Sequence, residues 1–149
     1  MKALIQRVSK ASVAVNGKRV GAIEKGLLVF LGIKNGDSAE DARYLSAKIC
    51  SLRIFEDDQA KMNLSVNDVG GSLLVVSQFT LYGDTRKGNR PSFVEAAPPE
   101  VAEPFYNTFV GFLRDELGAA RVATGVFRAM MEVELTNDGP VTVMVESKV

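Results

Sequence analysis

Two short segments carry the residue types that chemistry needs. Ser77-Gln78-Phe79-Thr80 closes an apolar run with three polar side chains. Ser, Gln and Thr can hydrogen-bond a bound ligand, and main-chain N–H groups at a strand end can polarise a carbonyl. Gly139-Pro140 sits in the run Asn137-Asp138-Gly139-Pro140-Val141-Thr142, between two strand-like stretches. Glycine permits close approach, and proline fixes the chain without adding a donor. The pair therefore offers two rigid main-chain carbonyls, above all if its peptide bond is cis. The chain contains no histidine, which removes the commonest neutral-pH acid-base group and metal ligand. Thr80 thus has no imidazole to activate it as a nucleophile. If this is an enzyme, backbone geometry or the substrate does much of the chemistry.

Each segment also has a plain structural reading. Ser77 to Thr80 would serve as a strand edge whose hydroxyls satisfy neighbouring backbone. Gly139-Pro140 would serve as a tight hairpin connection, with Asn137 or Asp138 closing an Asx-type turn. Arg86, Lys87 and Arg90 form the densest basic loop and suit either a local phosphate contact or solvation. Phe79, Phe93 and Phe127 can stack on a base or pack in a core. Asp57-Asp58 reads as a wet turn. No compact set of hard ligands accompanies it, so neither a resident metal nor another cofactor is expected.

The elements that must position these residues fit one domain spanning 1–149. Hydrophobic residues make up 46% and charged residues 24%, an ordinary globular balance. Eighteen basic and 18 acidic side chains cancel, so any nucleic-acid contact must be local. Cys50 is the single cysteine and falls on a helical apolar face, where a buried, inert thiol is expected. The start lacks the apolar core of a signal peptide, and no window approaches the roughly 20 apolar residues of a membrane helix. A cytoplasmic protein without membrane attachment is expected.

Strands are expected at 2–8, 12–15 and 19–23, with a hairpin at Asn16-Gly17. Residues 26–33 are continuously apolar and read as a central strand. Ser38 and Asp41 form a capping box before a helix with Ala42, Leu45, Ile49 and Leu52 on one face. A short strand at 52–55 and a long one at 72–82 follow. A polar loop over 83–92 leads to a second helix over about 99–117, which Pro104 makes either start near residue 103 or distort in its first turns. Strands over 126–135 and 141–146 flank Gly139-Pro140. Strands in bulk with two principal helices make a compact α+β domain with mainly antiparallel sheets.

The ordered motifs are more specific than any of these. Ile5-Gln6-Arg7-Val8, Leu52-Arg53-Ile54-Phe55, Lys61-Met62-Asn63-Leu64-Ser65, Ser77-Gln78-Phe79-Thr80-Leu81, Lys87-Gly88-Asn89-Arg90-Pro91-Ser92-Phe93, Thr124-Gly125 and Asn137-Asp138-Gly139-Pro140-Val141-Thr142 occur in that order. Together they resemble the D-aminoacyl-tRNA deacylase family, also called D-tyrosyl-tRNA deacylases, over essentially the whole chain.

That resemblance implies hydrolysis of the ester joining a D-amino acid to the terminal ribose of tRNA. It implies a homodimer with active sites at the interface, where a cis Gly139-Pro140 pair reaches the Ser77–Thr80 segment of the other subunit. Phe79 and Thr80 correspond to main-chain N–H positions of the pocket. Phe127 and Met131 correspond to its terminal-adenosine border. The family's substrate-assisted route uses the ribose 2′-OH, in keeping with a site without histidine. L-amino acids would be excluded by backbone, and glycyl-tRNA would pass the same filter. Arg128 departs from the small residue usual there. A non-enzymatic RNA-binding scaffold on the same fold is the alternative, and a small-molecule hydrolase a more distant one.

Overall fold

The computed structural model describes residues 1–148. Its longest feature is a hairpin. Strand β1 (Lys2–Val15) turns at Asn16-Gly17, and β2 (Lys18–Ile23) and β3 (Gly26–Gly32) return along it. Asn16 and Gly17 both have positive φ, 52° and 78°, as the favoured two-residue hairpin turn requires. The expected break between 8 and 12 is absent. Both halves of β1 stay paired on each side, to β2 or β3 on one and to β8 (Glu132–Glu146) on the other.

From β3 the sheet continues in parallel through β6 (Ser72–Ser77) to β7 (Val122–Thr124). The order β2-β1-β3-β6-β7, with β8 also on β1, mixes antiparallel and parallel pairs with antiparallel pairing predominant. A separate small hairpin joins β4 (Phe55–Glu56) and β5 (Met62–Leu64). The short strand expected over 52–55 is thus shifted to start at Phe55. The sheet curls until β2 meets β7, where Gly21 lets the backbones touch. A Cβ there would lie 2.6 Å from the Thr124 carbonyl oxygen.

Helices α1 (Ala39–Ser51) and α2 (Pro99–Leu117) cover one face. The Asp41 carboxylate accepts the Ser38 N–H at 2.8 Å, the reciprocal half of a capping box. Pro104 lies inside α2 without ending it: the helix runs from Pro99 to Leu117 and forgoes only the bond that an N–H at 104 would give the Glu100 carbonyl. The main core, with Ile5, Leu27, Leu45, Leu73, Phe109 and Leu113, lies between this face and the helices. A second core, with Val8, Val13, Leu28, Leu74 and Val76, fills the inside of the curl. Each such fully buried side chain contributes about 1.5–3 kcal/mol of transfer free energy.

Three expectations fail where the site segments lie. The strand read over 72–82 ends at Ser77, and Phe79–Tyr82 form a 3-10 turn. Its continuous β-propensity is overridden because β3, the partner, ends at Gly32. Gly139-Pro140 is also no hairpin connection. Strand β8 stays on β1 through both flanks, so the segment 138–141 is a bulge in one long strand. Residues 126–131 precede that strand as a turn and are not part of it.

Candidate active site

A cavity of about 630 Å³ opens where the parallel strands β3 and β6 end and α2 begins. One wall runs through Val76, Ser77, Gln78 and Phe79. Phe93 and the run Ala96–Pro99 supply another, and the segment Phe127–Met131 closes the third. The small residues Ala96, Ala97 and Ala102 leave the space open. The loop before α2 is fixed by two main-chain bonds, Asn35 N–H to the Glu95 carbonyl and Ala97 N–H to the Ile33 carbonyl, both 2.9 Å.

The end of β6 is the chemically unusual wall. Gln78 N–H still donates to the Leu31 carbonyl at 2.8 Å, and then the chain turns. Leu81 N–H donates to the Gln78 carbonyl and Gly83 N–H to the Thr80 carbonyl. Among the described residues, the N–H groups of Phe79 and Thr80 have no protein acceptor. Two adjacent unspent donors at an exposed turn can receive an oxygen that gains negative charge. The Gln78 side-chain amide donates to the Thr80 hydroxyl and holds it. Phe79 is 57% exposed and meets Phe93 edge-on, with ring centroids 5.2 Å apart. These two rings are therefore surface apolar groups at the cavity mouth, not core residues. Phe127 packs towards the core, with its ring 5.4 Å from that of Tyr106.

Of the residues singled out in the sequence, the cavity wall gathers Ser77, Gln78, Phe79, Phe127 and Met131. Thr80 lies one residue beyond the wall. Gly139 and Pro140 do not line it, and both are exposed. The basic loop is elsewhere as well. There Arg86 is committed to Asp84, donating through Nε at 2.9 Å and Nη2 at 2.7 Å. Hydrogen bonding from Arg86 holds the Asp84 carboxyl at about 2. Lys87 and Arg90 are exposed and form no ion pair with the described residues.

The Gly139-Pro140 bond is cis. Between the pairs Val8–Asn137 and Gln6–Thr142, β1 spends Arg7 alone while β8 spends Asp138 to Val141. Asn137 ties the base of this bulge, accepting Val141 N–H at 2.8 Å and donating to the Thr142 hydroxyl at 3.0 Å. Arg7 braces it from behind. Its Nε donates to the Asp138 carbonyl at 3.0 Å, and its Nη1 to the Ile54 carbonyl at 2.8 Å. Glu56 and Asp138 carboxylates lie 3.7 and 3.6 Å from this guanidinium. Only 6% of Arg7 is exposed. Gly139 has φ +136°, and a Cβ there would lie 2.7 Å from Val141 Cγ2 and 3.2 Å from Arg7 Nη2. Sequence reasoning gave Arg7 no role of its own. The signal was a lone arginine set among the apolar residues of a strand that turns out to be sheet-central.

Cys50 is buried, and burial pushes its thiol up to about 12, so it is not a nucleophile. Asp57 accepts the Gln59 and Lys61 N–H groups and the Asn63 amide, which makes it a turn residue.

Residues 4–146 match the family model described as D-Tyr-tRNA(Tyr) deacylase. A D-aminoacyl-tRNA deacylase of Desulfatibacillum aliphaticivorans is 62% identical over 148 residues, covering 99% of this chain and 100% of that protein. One of Halalkalibacterium halodurans is 60% identical with the same coverage. Among solved structures, one described as c-Myc DNA Unwinding Element Binding Protein superposes with a TM-score of 0.96 at 44% identity, each chain covered fully. A probable eukaryotic D-amino acid tRNA deacylase shares the fold, with a TM-score of 0.83 at 19% identity over 97% of this chain and 98% of that one.

Proposed function

The chain belongs to the D-Tyr-tRNA(Tyr) deacylase family, and from that premise we propose how its two chemical segments hydrolyse the ester of D-aminoacyl-tRNA. The observation that carries the reading is the pair of unspent N–H groups at Phe79 and Thr80 beside a cavity with no histidine. Ester hydrolysis needs a polarised carbonyl, an attacking water and a route for the proton. The two N–H groups stabilise the oxygen as it gains charge. Ser77 and Gln78 orient the ester. The ribose 2′-OH of the substrate supplies the proton relay that no side chain here offers. Phe127 and Met131 border the terminal adenosine. Lys87 and Arg90, with Arg86 already paired, meet the RNA backbone farther out.

The chiral filter is the Gly139-Pro140 bulge of a second copy of the chain. Two features support a homodimer with shared sites. The bulge is rigidly braced and exposed, yet does not line the cavity described above. Strand β8, 15 residues long, pairs with β1 on one side, and among the described residues no strand pairs with its other edge, a surface that proteins normally cover. In the completed site the bulge carbonyls hold the substrate amino group and fill the volume an L side chain needs. A D side chain points away from them, and glycine has none to exclude. Glycyl-tRNA is therefore a second substrate. Charged tRNA is cytoplasmic, and so is this reaction.

Purified protein incubated with D-tyrosyl-tRNA and L-tyrosyl-tRNA tests the reading. Rapid release of D-tyrosine with L-tyrosyl-tRNA spared, unaffected by chelator, is the expected outcome. Intact D-tyrosyl-tRNA under conditions where the folded protein binds it would leave only an RNA-binding scaffold.

A further inference from the structure

Arg128 is the one charged residue on the wall of an otherwise neutral cavity. It is exposed, and among the described residues it makes no hydrogen bond or ion pair. Its backbone is equally unusual. Residues 126–129 form a turn closed by Ala129 N–H to the Val126 carbonyl at 3.2 Å, and Arg128 occupies the third position with φ +71°. A type II turn favours glycine at that position, because L side chains resist the left-handed region. A long cation thus stands where the backbone would be relaxed with no side chain at all. It points its chemistry at a rim where nothing in the protein answers it.

We propose that Arg128 is a substrate-positioning residue that takes the phosphodiester next to the terminal adenosine of the acceptor strand. The inference rests on the deacylase reading and deepens it. Phe127, its neighbour, borders the adenosine, so the next group along the strand outside the cavity is the 5′ phosphate of that nucleotide. Guanidinium geometry suits a phosphate, with two parallel N–H donors available. A cation at the rim also leaves the ester and its attacking water alone. It adds binding that is equal in ground and transition states.

Arg128→Gly separates this role from folding, since glycine relaxes the turn and should leave the melting temperature unchanged or higher. Two substrates are compared under single-turnover conditions, D-tyrosyl-tRNA and the D-tyrosyl 3′ ester of adenosine, which lacks the phosphate. For the variant on tRNA, the half-saturating enzyme concentration should rise about three- to ten-fold with an unchanged maximal rate. The logarithmic salt dependence on tRNA should flatten by about 0.7, the value for one single-strand phosphate contact. The adenosine ester should be hydrolysed equally by both proteins, and Arg128→Lys should keep the salt dependence. An equal loss on both substrates, an unchanged salt dependence, or a fall in maximal rate alone would overturn the assignment. Wild-type protein inactive on both D esters would instead overturn the deacylase reading, and this inference with it.

Discussion

The segments 77–82 and 137–142 are opposites in construction. The first ends a strand, lines its own cavity and leaves two donors unspent. The second interrupts a strand, stands apart from that cavity and offers acceptors, with Arg7 and Asn137 holding it from behind. The donors and the acceptors thus sit in separate places on one chain, and the two-fold assembly proposed above is what would bring them together.

The largest effect is expected at Gly139. Gly139→Ala places a methyl against Val141 and Arg7 at a φ of +136°, and so tilts the bulge while the cavity stays intact. D-tyrosyl-tRNA hydrolysis should fall about 100-fold, the scale of an ångström-sized displacement at a reacting group. A single-turnover assay on the folded protein measures it.

Arg7→Ala attacks the brace instead of the filter. It strips the Asp138 and Ile54 carbonyls of their donors. A loss of roughly 2 kcal/mol in denaturant unfolding is expected, with a smaller drop in hydrolysis than for Gly139→Ala.

A region remote from both half-sites sharpens the comparison as a control. Burial raises the Asp41 carboxyl, but the Ser38 N–H, the Ser147 hydroxyl and Lys148 outweigh it and hold it at about 2. Its folded value lies below the unfolded one of 3.8. Its contribution is therefore complete above about pH 5 and is lost as the pH falls through the folded value. Asp41→Asn should flatten acid unfolding in that window, by roughly 2 kcal/mol in all. The ratio of D to L hydrolysis at neutral pH should not move.

The smallest effect is expected at Thr80. Its hydroxyl is held by Gln78 beyond the cavity wall, and the proposed mechanism uses its N–H. Thr80→Ala keeps that N–H, so hydrolysis should fall by less than about ten-fold. Complete loss in a folded protein would revive a covalent role.

Local rules made both helices, the Asn16-Gly17 turn and the central strand β3 legible, because periodicity and caps act within a few residues. What they missed was set by partners distant in sequence. Residues 78–82 have strand-like composition, but β3 ends at Gly32 and offers no further ladder. Gly139-Pro140 has hairpin composition, yet β1 is long enough to pair with both flanks and makes it a bulge. The polar and Gly-Pro segments were visible as chemistry from the sequence. Arg7 was not, because its worth lies in a carbonyl 131 residues away.

Mixed dimers test the split site most directly. Gly139→Ala damages the filter, and Phe79→Pro removes one N–H donor of the cavity half. Each homodimer then carries one lesion in every site and should be nearly inactive on D-tyrosyl-tRNA. If the halves come from different subunits, a dimer of one copy of each variant holds one site with both halves intact and one with both lesions. Its activity should return to about half that of the wild type, with L-tyrosyl-tRNA still spared. A mixed dimer as inactive as its parents would place each site within one chain and contradict the account.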